Sequence, residues 1–236
     1  MNASPSTRRL QLPLFPLGSV LFPGGLLPLR IFEVRYLDMI RRCHSRGEPF
    51  GVVCLSLGSE VRRPAANDGP VGDGFAPEAF FPVGTLARID ALHRPQPGLM
   101  MIRCVGTQRF RVQRSEQQKF GLWVADVDML GDDAVVPVPD DLAFTGEALQ
   151  TLVRDIEHNV EQSVEQSGES SGEAGAEVPM LQPYRWDDCG WLANRWCELL
   201  PLKPELKHRL MALDGPVLRL ELVADTLGQM GLAPPR

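Results

Sequence analysis

The sequence lacks the short motifs that mark nucleotide-dependent and nucleophilic chemistry. No Gly-x-x-x-x-Gly-Lys-Ser/Thr loop occurs, and no Gly-x-Gly-x-x-Gly stands between a predicted strand and a predicted helix. The chain contains three lysines, and none lies in a context typical of a Ser-Lys nucleophilic pair. We therefore expect no cofactor and no catalytic residue. An unrecognised hydrolase, with carboxylates or a histidine gathered in a deep pocket, is an alternative.

Metal-ligating patterns are also missing. The five cysteines form no Cys-x-x-Cys, and none of the four histidines stands at ligand spacing from another histidine or from a cysteine pair. We expect reduced, buried thiols and no metal. Four pairs of aspartates exist, but strand ends and helix caps explain them better than acid-base catalysis. These pairs are Asp126/Asp128, Asp132/Asp133, Asp140/Asp141 and Asp187/Asp188.

Long apolar runs are absent as well. The most apolar stretch, VLFPGGLLPLRIF, is broken by two prolines and two glycines, well short of a bilayer span. The first ten residues, MNASPSTRRL, lack the apolar stretch of a signal peptide. We therefore expect a cytoplasmic protein with no membrane association.

The net charge of −6 conceals a division along the chain. Residues 1–130 carry 16 Lys and Arg against 11 Asp and Glu, whereas the remainder carries 8 against 19. This asymmetry indicates two regions with different partners.

The first half is predicted to form short strands. Prolines and glycines punctuate the apolar runs LQLPLFPLG, GLLPLRIF and FGVVCLSL, and VGTLARIDAL alternates before a turn at RPQPG. The runs LMMIRCV, RFRVQR and FGLWVADVDML follow. Six or seven strands without long helices between them favour a small barrel or sandwich. The segment 61–78 is rich in Pro and Gly and is predicted to be a long surface loop.

One helix interrupts this series after GLLPLRIF and ends near Gly47, a plausible left-handed cap. Taking Phe32 as its start, an apolar face comprises Phe32, Tyr36, Met39, Ile40 and Cys43. The opposite, polar face comprises Arg35, Asp38, Arg41 and Arg42. This pattern predicts that Phe32 packs inward and that Arg35 points outward.

The second half has helical spacing. PDDLAFTGEALQTLVRDIEHNVEQ is followed by a Ser-, Gly- and Glu-rich segment at about 162–178, which we predict to be a flexible acidic linker. WDDCGWLANRWCELLPL, PELKHRLMALD and PVLRLELVADTLGQM then predict three short helices, with Pro204 and Pro216 in first turns.

Several blocks together resemble the amino-terminal substrate-binding domain of Lon proteases, which also occurs in cereblon and in small stand-alone bacterial proteins. The blocks are Leu12-Pro13-Leu14, Phe22-Pro23, Pro28-Leu29, Phe32-Glu33, Arg35-Tyr36, Gly84-Thr85, Gly106 and Arg109-Phe110. The terminal segment LPLKPELKHRLMALDGPVLRLELV is similar to the helical tail of that domain. The acidic insert near 162–178 departs from the family pattern.

The resemblance implies an α+β fold: a PUA-like β pseudobarrel in residues 1–133, followed by a helical bundle in residues 139–236. It also implies a role in binding unfolded or extended polypeptides, either as a substrate-recognition protein for a separate protease or as a folding or assembly adaptor. The ATPase and Ser-Lys protease modules of a full Lon protease have no counterpart in these residues, so we expect no proteolysis by this chain alone.

The candidate peptide-binding residues surround the strand-helix junction and the proline-rich edge: Phe22, Pro23, Phe32, Glu33, Arg35, Tyr36 and Arg109. An arginine fork at the junction can hold a carbonyl or carboxylate of a bound peptide. Core packing of Phe32 and Tyr36, and a local ion pair between Glu33 and Arg35, are the alternatives.

RNA binding is the competing function, because PUA-like folds often bind RNA and the β-rich half is net positive. Arg103, Arg109, Arg111 and Arg114 would form a phosphate-facing row only if they cluster.

Overall fold

The computed structural model describes residues 10–60, 77–167 and 179–232. The chain divides into two compact units, of which the first comprises Met1–Asp132 with Leu202–Ala212 and the second Asp133–Pro201 with Leu213–Arg236. None of the described helices is both long and apolar enough to cross a membrane.

The first unit is built on a six-stranded sheet. Its strands are β1 (Leu10–Leu17), β2 (Leu26–Ile31), β3 (Phe50–Leu57), β4 (Ala79–Gln96), β5 (Leu99–Gln117) and β6 (Trp123–Met129). The spatial order is β2-β5-β4-β3-β1-β6, and an additional β5–β6 pairing closes the sheet into a barrel. Among the pairs of the described strands, β1–β3 alone is parallel and the others are antiparallel.

The long strand β5 is what allows closure. Its first part pairs with β2 and its last part pairs with β6, while β4 follows it along most of its length. The predicted runs LMMIRCV and RFRVQR are therefore one strand that continues through Gly106. A side chain at Gly106 would collide with the carbonyl oxygen of Phe22, and one at Gly84 with the Val52 carbonyl and the Phe110 ring. Both glycines are needed because the backbones approach too closely for a Cβ atom.

Helix α1 (Val34–Arg46) packs against the barrel core. The Tyr36 ring stacks on Phe15 with centroids 4.0 Å apart, and Met39 and Ile40 are fully buried. Gly47 ends the helix in the left-handed conformation at φ 64°, as predicted.

Two predictions about this helix were wrong. Phe32 precedes the helix and is 52% exposed, whereas Arg35 in the first turn is buried. The wheel was drawn from Phe32, but Glu33 occupies the N-cap position with extended backbone, so helical periodicity does not apply to Phe32. Arg35 is buried because it binds Glu78 and the Gly121 carbonyl, both distant in sequence, and helical spacing cannot reveal such partners.

Helix α2 (Ala143–Ser167), helix α3 (Cys189–Leu199) and helix α5 (Pro216–Gln229) form the second unit. Helix α4 (Pro204–Ala212) belongs instead to the first unit, where it contacts β3 and β4. The α+β prediction is confirmed, and Pro204 and Pro216 stand in first turns as expected. The placement of α4 differs from the predicted grouping of every later helix with residues 139–236.

The second unit is held together by polar groups as well as apolar packing. Asp188 caps α3 by accepting a hydrogen bond from the Gly190 amide at 3.0 Å. Arg219 of α5 is fully buried and donates to Asp133 Oδ2 at 2.6 Å and to Asn194 Oδ1 at 3.0 Å. These bonds satisfy a charge that would otherwise be costly to bury.

The predicted loop and linker fall largely outside the described residues. Of the loop predicted at 61–78, residues 61–76 are not described. Helix α2 extends to Ser167 and so includes the first residues of the predicted linker, while 168–178 lie outside the described ranges.

Candidate functional site

The junction between β2 and α1 holds a buried arginine. Arg35 Nε donates to Glu33 Oε2 at 3.1 Å, and Nη2 donates to Glu78 Oε1 at 3.4 Å. Nη1 donates to the carbonyl oxygen of Gly121 at 3.0 Å. The Arg35 side chain is 3% exposed, so its fork is occupied by groups of its own chain. This geometry agrees with the local ion pair and adds a carbonyl acceptor to it.

The carbonyl that Arg35 holds belongs to the turn between β5 and β6. This turn is closed by hydrogen bonds from the Gln118 amide to the Leu122 carbonyl at 2.7 Å and from the Gly121 amide to the Gln118 carbonyl at 3.0 Å. Phe120 sits between them with φ at 65°, a left-handed conformation that costs a residue with a Cβ about 1 to 2 kcal/mol. The residue is 83% exposed. A strained backbone thus holds an aromatic ring in solvent.

Two neighbouring cavities border α1, and together we call them the α1 groove. They have volumes of about 520 and 390 Å³ and share Arg42, Gln118 and Leu122. The larger cavity is lined by Val34, Arg35, Asp38, Arg41, Arg42, Gln118, Phe120 and Leu122. The smaller is lined by Leu10, Gln11, Leu12, Pro13, Met39, Arg42, Cys43, Arg46, Glu48, Pro49, Gln118, Leu122 and Val124.

The charges along the groove are mostly paired. Arg41 Nη1 lies 2.9 Å from Asp38 Oδ1, and Arg46 Nη1 lies 3.9 Å from Glu48 Oε2. Within the described ranges, no ion pair is formed by Arg42, which is exposed and lines both cavities. The groove therefore combines apolar surface with one cation available for a ligand.

The structure separates the seven residues predicted to bind peptide. Glu33, Arg35 and Tyr36 lie together, with the Arg35 guanidinium carbon 4.5 Å from the centroid of the Tyr36 ring. Phe22 is fully buried, as is Tyr36 at 2% exposure. Of the seven, Arg35 alone lines a cavity of the groove.

The remaining three predicted residues have different environments. Arg109 is 4% exposed and donates from Nη1 to the Met211 carbonyl of α4 at 3.0 Å. Pro23 is partly buried beside the turn in which the Gly24 amide donates to the Gly106 carbonyl at 2.8 Å. Phe32 exposes half of its surface immediately before α1. Arg109 thus anchors a helix, and Phe32 is the aromatic residue of the set that is open to solvent.

Sequence reasoning missed Val34, Arg42, Phe120 and Leu122. Phe120 stands next to a glycine in the segment KFG, which is a turn signal, but nothing in that segment indicates an exposed ring. Val34 is 67% exposed although it begins a helix with an apolar face. These residues meet only because the β5–β6 turn lies against α1, a long-range contact.

The arginine row considered for RNA does not form an array of unpaired cations. Arg103 Nη2 lies 2.9 Å from Asp90 Oδ2, and Arg109 is buried as described above. Arg111 and Arg114 are exposed but stand in register with aspartates of β6 across the β5–β6 ladder. Aspartates therefore lie beside or opposite three of these arginines, and the fourth is buried.

The thiols and the buried histidine are poor candidates for chemistry. All five cysteines are free and buried, and burial raises the pKa of Cys54 to about 11 and that of Cys104 to about 12. His208 donates from Nε2 to the Val83 carbonyl at 3.1 Å and stacks on Phe81, and burial lowers its pKa. Among the described residues there is no group of three or more His, Cys, Asp or Glu positioned to hold a metal.

Comparison with known proteins agrees with the fold. A solved structure of a Lon N-terminal domain protein from Xanthomonas campestris is 28% identical, with a TM-score of 0.62 over 95% of this chain and 99% of that chain. The N-terminal domain of a Mycobacterium avium complex Lon protease gives a TM-score of 0.53 over 92% of this chain and 97% of that chain. At 14% identity, this second likeness concerns the fold alone.

Two curated relatives match a smaller part of this chain. Cereblon from Xenopus tropicalis is 31% identical over 133 residues, which are 55% of this chain and 26% of that protein. Cereblon from Danio rerio is 32% identical over 132 residues, or 54% and 27% of the two chains. This chain thus spans about a quarter of the length of these relatives.

The family model described as the ATP-dependent protease La (LON) substrate-binding domain matches residues 11–229. The predicted resemblance is confirmed, and the chain belongs to the LON substrate-binding domain family.

Proposed function

We propose that this protein binds unfolded or extended polypeptide in the α1 groove without cleaving it. The family supports a substrate-binding role. The observation that carries the choice of surface is Phe120, an exposed ring held by a left-handed backbone at the border of a cavity. Backbone strain at an exposed aromatic residue is typical of functional sites, because folding alone gains nothing from it.

The groove suits a permissive polypeptide site. Val34 and Phe120 expose apolar surface in the larger cavity, and Gln118 and Arg42 supply polar groups beside it. Apolar contacts accept varied side chains, while polar groups bind the peptide backbone. Ordering a flexible chain on a small surface costs part of the gross affinity, so we expect micromolar dissociation constants, about −8 kcal/mol.

In this proposal Arg35 is a positioning residue. Its guanidinium holds the Gly121 carbonyl and thereby fixes the turn that presents Phe120. Glu33 and Glu78 neutralise the buried charge. Arg35 therefore contributes to binding through the turn, and Phe32, at the start of the junction, extends the apolar surface.

The cellular role that follows is substrate recognition in the cytoplasm, with the bound polypeptide passed to a separate protease. The high pKa values of Cys54 and Cys104 support a non-catalytic protein, because neither thiol forms a thiolate readily.

Fluorescence anisotropy with a labelled, permanently unfolded protein tests the proposal. Phe120→Ser should weaken binding about tenfold, since it removes one large apolar contact from the site. Leu57→Ser is the matched control, because Leu57 is 56% exposed on β3 and lines neither cavity. Equal binding of the unfolded protein by both variants would exclude the α1 groove as the binding site. Salt-sensitive binding of a labelled RNA by the wild type, with no polypeptide binding, would favour the RNA function.

A further inference from the structure

We infer that the α1 groove selects polypeptide segments in which an acidic side chain is flanked by apolar ones, and that Arg42 receives the carboxylate. This inference rests on the proposed function and assigns a substrate class to the same surface. The feature behind it is the position of Arg42, which lines both cavities at the point where they meet.

The other cations of the groove have partners within the protein. Arg35 is enclosed by two carboxylates and a carbonyl, and Arg41 is paired with Asp38 at 2.9 Å. Arg46 has Glu48 at 3.9 Å. Arg42 forms no ion pair in the part of the chain that the structure describes, so the central position carries an uncompensated positive charge.

Apolar groups lie on both sides of this charge. Val34 and Phe120 line one cavity, Leu12 and Pro13 line the other, and Leu122 belongs to both. A ligand that fills both cavities therefore passes Arg42 in the middle and apolar surface on either side. The matching sequence is an acidic residue between apolar residues.

The dimensions agree with a short extended segment. Asp38, Arg42 and Arg46 are spaced four residues apart and form one stripe of α1. Eight residues of helix rise about 12 Å, which an extended peptide covers with about four residues. Three to five consecutive residues of a substrate are thus enough to span the groove.

A carboxylate is favoured at this position for two reasons. An arginine fork donates two parallel, charge-assisted hydrogen bonds to a carboxylate, and the apolar walls of the cavities reduce the water around the pair. A lysine at the same point of the peptide would meet the positive charge of Arg42. The preference should weaken as salt is added, because Arg42 is exposed.

Three labelled peptides with the same apolar flanks and a central Glu, Gln or Lys test the inference by anisotropy. The wild type should bind the Glu peptide about fivefold more tightly than the Lys peptide. Arg42→Glu should reverse this order and Arg42→Gln should abolish it. Arg94→Glu is the control, because Arg94 is an exposed arginine of β4 that lines neither cavity. Circular dichroism checks the folding of each variant.

Equal affinity for the three peptides, or an unchanged order in Arg42→Glu and Arg42→Gln, would overturn the inference while binding of unfolded protein persists. Failure of the wild type to bind both the peptides and the unfolded protein would overturn the proposed function together with the inference. RNA binding that is lost in Arg42→Glu, with no binding of the Glu peptide by the wild type, would assign Arg42 to a phosphate ligand and contradict both.

Discussion

Arg35 Nη1 lies 3.0 Å from the carbonyl oxygen of Gly121, a residue 86 positions later in the sequence. This bond joins the first turn of α1 to the turn between β5 and β6. Because the same guanidinium also binds Glu33 and Glu78, one side chain connects three separate parts of the chain. The stability of the first unit and the presentation of Phe120 therefore depend on a common group.

Replacement of Arg35 should lower the free energy of unfolding. In Arg35→Ala two carboxylates lose their buried counterion, so we expect the free energy of unfolding to fall by about 3 kcal/mol. Urea denaturation measures this change. Arg41→Ala on the same helix is the control, since the Arg41–Asp38 pair is exposed and should contribute less than about 1 kcal/mol. Equal losses in the two variants would contradict the buried network.

Phe120→Gly should separate stability from binding. Glycine adopts the positive φ of this position without strain, which stabilises the folded state. Its greater conformational freedom in the unfolded chain offsets part of this gain. The free energy of unfolding should therefore rise by about 0.5 to 1 kcal/mol. Polypeptide binding should fall, because the exposed ring is gone. Urea denaturation and anisotropy on the same sample measure both quantities. A loss of stability would show that the ring has a packing role.

Gly84 in β4 and Gly131 after β6 should differ in their tolerance of a methyl group. Gly84→Ala places a Cβ against the Val52 carbonyl and the Phe110 ring, and we expect a loss of about 2 kcal/mol in the free energy of unfolding. Gly131→Ala provides the comparison, because no atom lies within 4 Å of its added Cβ. Thermal melts of the two variants should differ clearly, and coincident melts would refute the close backbone approach at Gly84.

Acidification should destabilise the first unit through His208. Burial lowers the pKa of this histidine below its unfolded value of about 6.5, so above that pH both states are neutral and its contribution is complete. As the pH falls below about 6.5, the unfolded state binds the proton first and stability declines. His208→Gln should lose less stability than the wild type between about pH 7.5 and pH 5.5. Identical losses in urea titrations at the two pH values would contradict this assignment.

Much of the fold could be predicted because it depends on local signals. The alternation and turn residues indicated the strands, and Gly47 and Pro204 indicated where helices end and begin. The runs LMMIRCV and RFRVQR were predicted separately, whereas β5 continues through Gly106, whose lack of a side chain permits the approach of the Phe22 carbonyl.

The candidate site was less accessible to sequence reasoning. The burial of Arg35 depends on Glu78, 43 residues away, and on a backbone carbonyl further still. The exposure of Phe32 depends on where α1 begins, and helix boundaries are the least certain part of a periodic pattern. The burial of Arg35 comes from contacts between distant segments, which composition and spacing do not record.

The assignment of α4 to the first unit has a consequence for synthesis of the protein on the ribosome. β6 pairs with β1, so the barrel cannot close until residue 129 has emerged. At that stage Arg109 cannot yet donate to the Met211 carbonyl, because Met211 is translated only after α2 and α3. The first unit can therefore complete its native contacts only after most of the second unit has been translated. The two units finish folding at a similar stage of synthesis, and not one after the other in the order of the sequence.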